Sequence, residues 1–304
     1  MAGLFHRAWD SDLAYACRTS SVAVVASVTL LLLLIGSLGA DWVAPHNPFD
    51  LATINLIDAL TPPLWMENGN PEYLLGTDSQ GRDLYSSLLY GMRVSLFIGL
   101  ASVALAMLIG IVLGLISGYV GGRFDALIMR VADVQLSFPA ILIALLIDGV
   151  VRAAVPSDMH ENIAFPVLVG AIALAGWPQY ARTVRGSTLV EKNREYVQAA
   201  RVTGVSSTAI LFQHVLPNVL GPVLVLATVH VATAIITEAT LSFLGVGVPP
   251  TSPSLGTLIR VGNDFLFSGE WWITIFPGVA LVLLVLSVNL LGDWLRDALN
   301  PRLN

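Results

Sequence analysis

The chain has 304 residues, of which 55% are hydrophobic and only 12% charged, and its mean hydropathy is +0.76. A soluble domain carries about twice that charged fraction, so the composition excludes an ordinary soluble globular protein. The net charge of −6, with no basic tract, excludes a nucleic-acid binder, and a single cysteine, Cys17, excludes a disulfide framework or a cysteine-based zinc site.

The first apolar run, "SVAVVASVTLLLLLIGSLGA", follows Arg7 and Arg18. It approaches the ~20 residues that cross about 30 Å of hydrocarbon. The core of a cleaved leader is shorter, about 7–15 residues, so a signal-anchor helix is predicted over about 22–40. The long, acid-rich segment 41–93 follows. Its tail, "GRDLYSSLLYGMRVS", is predicted as an amphipathic helix along the membrane surface. Leu84, Leu88 and Leu89 would share its apolar side, with Arg82 and Arg93 on the polar rim. Asp78, Arg82 and Asp83 read as a structural charge group that pins the segment.

Further spans are predicted over about 94–118, 136–155, 163–180, 219–241 and 272–292. Gly99, Gly110, Gly114 and Gly118 suit the second to close helix contact in lipid. Asp148 and Arg152 are spaced to pair in the third. Pro139 and Pro166 fall near span starts, where a missing N–H costs little.

Between the fourth and fifth spans, "WPQYARTVRGSTLVEKNREYVQAARVTGVS" offers two short helices. The first covers about 179–192. The second starts near Asn193, an N-cap candidate, with Glu195 in its first turn. Val197, Ala200 and Arg201 are spaced for one face, and Ala199, Ala200 and Gly204 leave little bulk. Gly204 suits a left-handed C-cap. A low-profile helix of this kind fits a groove on a partner.

Glu238 is a carboxylate within the fifth span. A charge at mid-bilayer costs roughly 3 kcal/mol on insertion scales, and such residues face a cavity or a partner. A pathway or gate role and a structural hydrogen bond are both open, with Thr233, Thr237 and Thr240 nearby. His230 reads as a packed, hydrogen-bonded histidine. "FLGVGVPP" (243–250) reads as a turning loop near a pore mouth. Asp293, Arg296 and Asp297 read as solvated charges after the last span.

Eleven Lys and Arg residues lie on the side of the N-terminus and four on the other. The positive-inside rule therefore places both termini and the 181–218 loop in the cytoplasm. No Walker A pattern and no nucleophile or zinc-protease motif occurs. The expectation is an all-α integral membrane protein of about six transmembrane helices, with no enzyme chemistry and no cofactor of its own. Membrane lipid is its surroundings. An ion-coupled secondary transporter is the rival class, and it predicts inverted repeats and ion-binding groups in the membrane. A membrane-embedded enzyme is a third.

Gln198-Ala199-Ala200, Gly204 and Leu216-Pro217 stand at the spacing of the EAA loop, so the chain resembles the permease subunits of bacterial ABC importers. Gln198 stands where that pattern has Glu, and His214 where it has an apolar residue. "LLGTDSQGRDLYSSLLYGMRVSL", "GGRFDALIMRVADVQLSFPAILIAL", "EATLSFLGVGVPPTSPSLG" and "LLGDWLRDALNPRL" resemble the dipeptide, oligopeptide and nickel group. "ALTPPLWMENGNPEYLLGTD" is most similar to its C-type dipeptide subunits, while Leu255 stands where relatives commonly have Trp.

The resemblance implies a bacterial inner-membrane subunit with an anchor and outer loop over 1–93 and a permease core over 94–304. It implies a homologous second permease subunit, an extracytoplasmic binding protein, and two ATPase subunits that hold ATP and Mg. It implies docking on the ATPases by a coupling helix, Glu195, Tyr196, Val197, Gln198, Ala199, Ala200, Arg201 and Gly204. Glu238 and Thr237 are the pathway or gate candidates. Peptide is the leading cargo, with nickel, glutathione or another small solute as alternatives.

Overall fold

The computed structural model describes residues 18–50, 54–249 and 251–298. Arg7, Cys17, Pro250 and Arg302 lie outside them. The principal helices are α1 (Ser21–Leu38), α2 (Leu84–Val120), α3 (Gly122–Leu136), α4 (Ala140–Ala154), α5 (His160–Glu191), α6 (Glu195–Val202), α7 (Leu216–Phe243), α8 (Leu255–Asn263) and α9 (Trp272–Ala298). Among the described residues, five helical stretches are long and apolar enough to cross a membrane: α1, α2, α5, α7 and α9, where α5 and α7 include short leading turns. Counting the bent pair α3 and α4 as one span gives six.

That pair corrects the third span. The sequence predicts one span over about 136–155, but the helix breaks there: α3 and α4 meet at 98° across Ser137-Phe138-Pro139. Proline disfavours helical backbone in the residue before it and supplies no N–H. Alone, α4 reaches about 22 Å at 1.5 Å per residue, short of the hydrocarbon core.

The surface helix predicted before the second span is also corrected. Residues from Leu84 onward are the opening turns of α2, which runs unbroken for 37 residues. Arg82 is buried instead of lying on a polar rim. Its Nε donates to Asp78 Oδ2 at 2.7 Å, so the charge is neutralised locally. Asp83 caps α2, accepting from Ser86 N at 2.9 Å and Ser86 Oγ at 2.5 Å. The separate helix predicted over 179–192 is the last part of α5, which absorbs Pro166 and Pro178 without breaking.

The chain forms two compact units. The first comprises residues 1–98 and 235–304. Within it α1 and α8 each pack on α9. Arg93 ties down the end of α1, donating to Ser37 O at 2.8 Å and Leu38 O at 3.0 Å, carbonyls that a helix end leaves without partners. Arg93 also bonds Asp41, holding that carboxyl below its usual range, and Tyr90 adds a second donor. Leu84, Trp272 and Ile273 form a small core against Leu60, Met66, Leu75 and Phe265. Trp272 Nε1 donates to Thr77 O at 3.2 Å and fixes the loop before α2 to α9.

The second unit comprises residues 99–234. Within it α5 packs on both α3 and α4. Gly110, Gly114 and Gly118 bring α2 against Tyr180, Ala181, Val184 and Thr188 of α5. α3 is held along α5 by polar pairs: Asp125 with Arg185, Asp133 with Arg182, and Gln135 with Trp177. Asp148 and Arg152 pair as the spacing predicts, at 2.6 Å.

Candidate functional site

Three groups of residues in the structure are candidates for a functional role. The first is the loop around α6, in the second unit. Arg194, not Asn193, is the N-cap of α6, and it makes no side-chain cap bond. Asn193 is spent on the preceding helix, donating from Nδ2 to Leu189 O at 3.0 Å. Glu195 lies in the first turn. At the far end Gly204 adopts φ +80°. Its N–H donates to Arg201 O at 3.1 Å and Val205 N–H to Ala200 O at 3.0 Å, which closes a Schellman motif.

The exposure pattern divides the predicted coupling residues. Val197 and Ala200 are buried, so their small size serves contact within this chain. The π-helical turn Ile210–Val215 packs on α6. Glu195, Tyr196, Gln198, Ala199, Arg201, Val202 and Gly204 are exposed. Val202 stands 88% open, an apolar side chain offered outward at the end of the helix.

The loop is fastened to its own unit at several points. Tyr196 Oη donates to Glu191 Oε2 at 2.5 Å and accepts from Asn218 Nδ2 at 3.2 Å. Partial burial, then the Glu191 bond, pushes that phenol above its ordinary range. The Tyr196 ring stacks on His214. His214 thus has a packing role where the EAA pattern has an apolar residue. Lys192 Nζ donates to Gly118 O at 2.6 Å, and Arg201 sits over the Tyr119 ring at 5.4 Å. Asp125 accepts from Ser117 Oγ at 2.5 Å and from both Arg185 Nε and Nη2. These contacts bind α6 to the turn between α2 and α3.

The second group surrounds Glu238, in the first unit. Its side chain is fully buried. Ser95 Oγ donates to Oε2 at 2.8 Å, and Ser242 Oγ donates to Oε1 at 2.7 Å. The same two hydroxyls accept backbone N–H groups, Leu255 N at 3.2 Å on Ser95 and Val248 N at 3.3 Å on Ser242. The carboxylate therefore joins α2, α7, α8 and the 244–254 loop through two serines. Thr237, beside it in sequence, is half-buried. Replacing Glu238 by alanine leaves both serine hydroxyls without their acceptor and opens a cavity. Each orphaned buried group costs about 1–3 kcal/mol, so Glu238→Ala is expected to lose most assembled complex in a detergent pull-down. Glu238→Gln keeps one acceptor oxygen, and its amide can donate to a rotated serine, so it is expected to assemble. Equal recovery of both variants at parental level would remove the clamp role.

The third group is a pair that the sequence reading did not join. His230 Nε2 meets Gln179 Oε1 at 2.7 Å, and the His230 ring lies edge-on to Tyr180, with centroids 4.8 Å apart. His230 is hydrogen-bonded, as the sequence reading expects. Gln179 was missed, although a glutamine one residue after Pro178 at the edge of an apolar run is a visible signal. Gln179 and Thr233 are exposed and His230 is half-buried. Asp293, Arg296 and Asp297 are exposed at the end of α9.

The profile of the family described as "Binding-protein-dependent transport system inner membrane component" matches residues 110–304. The chain is 41% identical over 274 residues to the di/tripeptide transport system permease protein of Pseudomonas aeruginosa, covering 90% of this chain and 86% of that one. It is 39% identical over 281 residues to the dipeptide transport system permease protein of Haemophilus influenzae, covering 92% and 90%. Among solved structures, a chain from "Inward facing conformations of the MetNI methionine ABC transporter" superposes with a TM-score of 0.55 at 20% identity. That match covers 70% of this chain and 96% of the other, and it shows the fold alone.

Proposed function

This chain belongs to the binding-protein-dependent transport system inner membrane component family and is a multi-pass permease subunit of the ABC-importer class; we propose that it carries di- and oligopeptides. The carrying observation is identity of about 40% across nine-tenths of the chain with relatives named for di- and tripeptide transport. In this reading a homologous permease subunit completes the path and an extracytoplasmic binding protein delivers the peptide. Two ATPase subunits hold ATP and Mg and close on each turnover, and this chain makes and breaks no covalent bond.

The α6 loop is the proposed coupling element, with Glu195, Gln198, Ala199 and Arg201 on the docking surface, joined by Val202. Tyr196 and Gly204, though exposed, set the helix ends, and Val197 and Ala200 hold the helix to its unit. Through Lys192, Arg201 and the Arg185–Asp125 pair, a displacement of α6 is carried to the start of α3. That supports alternating access driven from the loop. The eleven-to-four bias of Lys and Arg supports a cytoplasmic place for the loop and both termini. Residues 1–93 then act as anchor and outer loop, and 94–304 as the permease core. Glu238 and Thr237 are proposed as gate residues, Glu238 by holding the outer loop shut through Ser95 and Ser242.

The test is uptake. The chain, reconstituted in proteoliposomes with the second permease subunit, the ATPases and the binding protein, is expected to accumulate a labelled dipeptide in the lumen only with ATP enclosed on the ATPase side and binding protein supplied outside. Accumulation driven by a proton gradient without ATP would sink the reading in favour of a secondary transporter.

A further inference from the structure

Polar side chains inside a membrane span are costly, and they face a bundle interior or a water-filled cavity. In the second unit, Gln179 of α5 and His230 of α7 stand together, with Thr233 one turn beyond His230. His230 lies near the middle of the 219–241 apolar run. It is about 21 Å along α7 from Leu216 at 1.5 Å per residue. At that depth Gln179 is exposed on the surface of its unit, not packed away. Lipid offers such an amide no partner, so its open face needs water, solute or protein.

The chemistry of the pair narrows the choice. One hydrogen bond joins Nε2 of the imidazole to Oε1 of the amide at 2.7 Å. A neutral imidazole has one donor and one acceptor, and the amide has a carbonyl and an NH2. With Nε2–H donating to Gln179 Oε1, His230 Nδ1 is left as an acceptor and the Gln179 NH2 as a donor. If the amide is turned over, Gln179 donates to Nε2, and a His230 N–H and a Gln179 carbonyl remain. In either orientation one residue keeps a donor and the other an acceptor. Side by side, they complement a peptide group, which offers one C=O and one N–H. No charge is involved, so the pair suits a main-chain amide with any side chains.

We propose that Gln179 and His230 form a contact point for a substrate main-chain amide on the wall of the translocation path, an assignment that rests on the peptide-import reading above. Thr233 extends the same polar face by one turn. The contact is made once per passing peptide group, weakly enough for release. This separates it from the binding protein's site, where cargo is selected.

The test has two arms, both on the complete reconstituted importer. In a Cys17→Ser chain, Gln179→Cys and His230→Cys are expected to react with a small, water-soluble, membrane-impermeant thiol reagent during ATP turnover. Saturating dipeptide with binding protein is expected to slow that reaction. Leu174→Cys, exposed on a different face of α5, is expected not to react. In the second arm, His230→Phe with Gln179→Leu removes both polar groups. One lost hydrogen bond pair is expected to lower maximal dipeptide uptake about five- to tenfold, while His230→Asn, which keeps a donor and an acceptor, recovers most of it. If neither cysteine reacts in any state, the pair is covered by protein or lipid and the proposal is overturned. Parental uptake by the double variant overturns it as well. If the parent importer takes up no dipeptide, the cargo reading and the amide assignment fall together, and the labelling arm still reports whether these residues line a path. A variant complex that does not assemble leaves the decision to the cysteine arm.

Discussion

Gly114→Leu gives a chain that reaches the membrane but yields no stable importer. Along α2, Gly110, Gly114 and Gly118 face α5 so closely that even one added carbon collides. A Cβ at Gly110 would stand 2.3 Å from Tyr180 Cβ. At Gly114 it would stand 2.6 Å from both Ala181 O and Val184 Cβ, and at Gly118 2.7 Å from Thr188 Cβ. The Ala181 oxygen is backbone and cannot rotate aside. In lipid, helices are held by packing and hydrogen bonds, not by exclusion of water, so loss of fit is not offset elsewhere. Overpacking costs about 1–3 kcal/mol where side chains yield, and here the helices themselves must part. The expected result is a melting temperature in detergent lower by about 6–12 °C, with little partner subunit recovered. Gly170→Ala, where an added Cβ meets no neighbouring element within 4 Å, is the matched control and is expected to melt with the parent or slightly above it. A Gly114→Leu chain that melts with the parent would show that the α2–α5 contact is not what holds this unit.

Ala199→Arg and Val202→Asp are expected to cost the importer its ATPases. Both side chains are exposed on α6, and neither supports the loop itself. A bulky charge on a helix seated in a groove removes close contact, and a charge in place of an apolar side chain must be desolvated. Central interface positions lose about 2 kcal/mol or more on substitution, roughly thirtyfold in affinity. Recovery of the ATPases in a pull-down and peptide-stimulated ATP hydrolysis should fall together. Ala200→Glu is a different experiment. Ala200 is buried, so that variant disturbs the loop's own packing and its readout is protease sensitivity at the loop. Ser206→Cys, in a Cys17→Ser chain, is expected to be labelled only from the cytoplasmic side. Parental ATPase recovery by both surface variants, or labelling of Ser206→Cys from outside, would remove α6 as the coupling element.

Much of the helical content is legible in the sequence because apolar runs of span length are a local property. The close approach at Gly110, Gly114 and Gly118 is legible for the same reason, although its partners Tyr180 and Val184 are not. The left-handed turn at Gly204 depends only on neighbouring residues. What escaped depends on distant ones. Gln135 accepts from Trp177 Nε1 at 3.0 Å and donates to Leu174 O, contacts about forty positions away that keep α3 along α5 up to the break. Without them, Pro139 reads as an ordinary span start. Arg82 is grouped with Asp78 in the sequence and does pair with it, but its burial, in place of a polar rim position, is not legible there. Ala200 reads as an outward small residue, but it is buried in the structure, where the Ile210–Val215 turn packs on α6. The Gln179–His230 pair joins two helices far apart in the chain, and periodicity carries no information about such a meeting.

The packing of α1 on α9 sets the order in which this protein can be finished. α1 leaves the ribosome well before α9, the helix it packs against. At about 5–20 residues per second, the wait is roughly 10–50 s. During that time α1 is a single greasy rod in the bilayer, kept there by length and hydrophobicity alone. Arg93 shortens the vulnerable period, since it closes the Ser37 and Leu38 carbonyls as soon as α2 inserts. The rest of the α1 surface stays open until α9 arrives. Any chain that stops before Trp272 is therefore born with its beginning unclaimed.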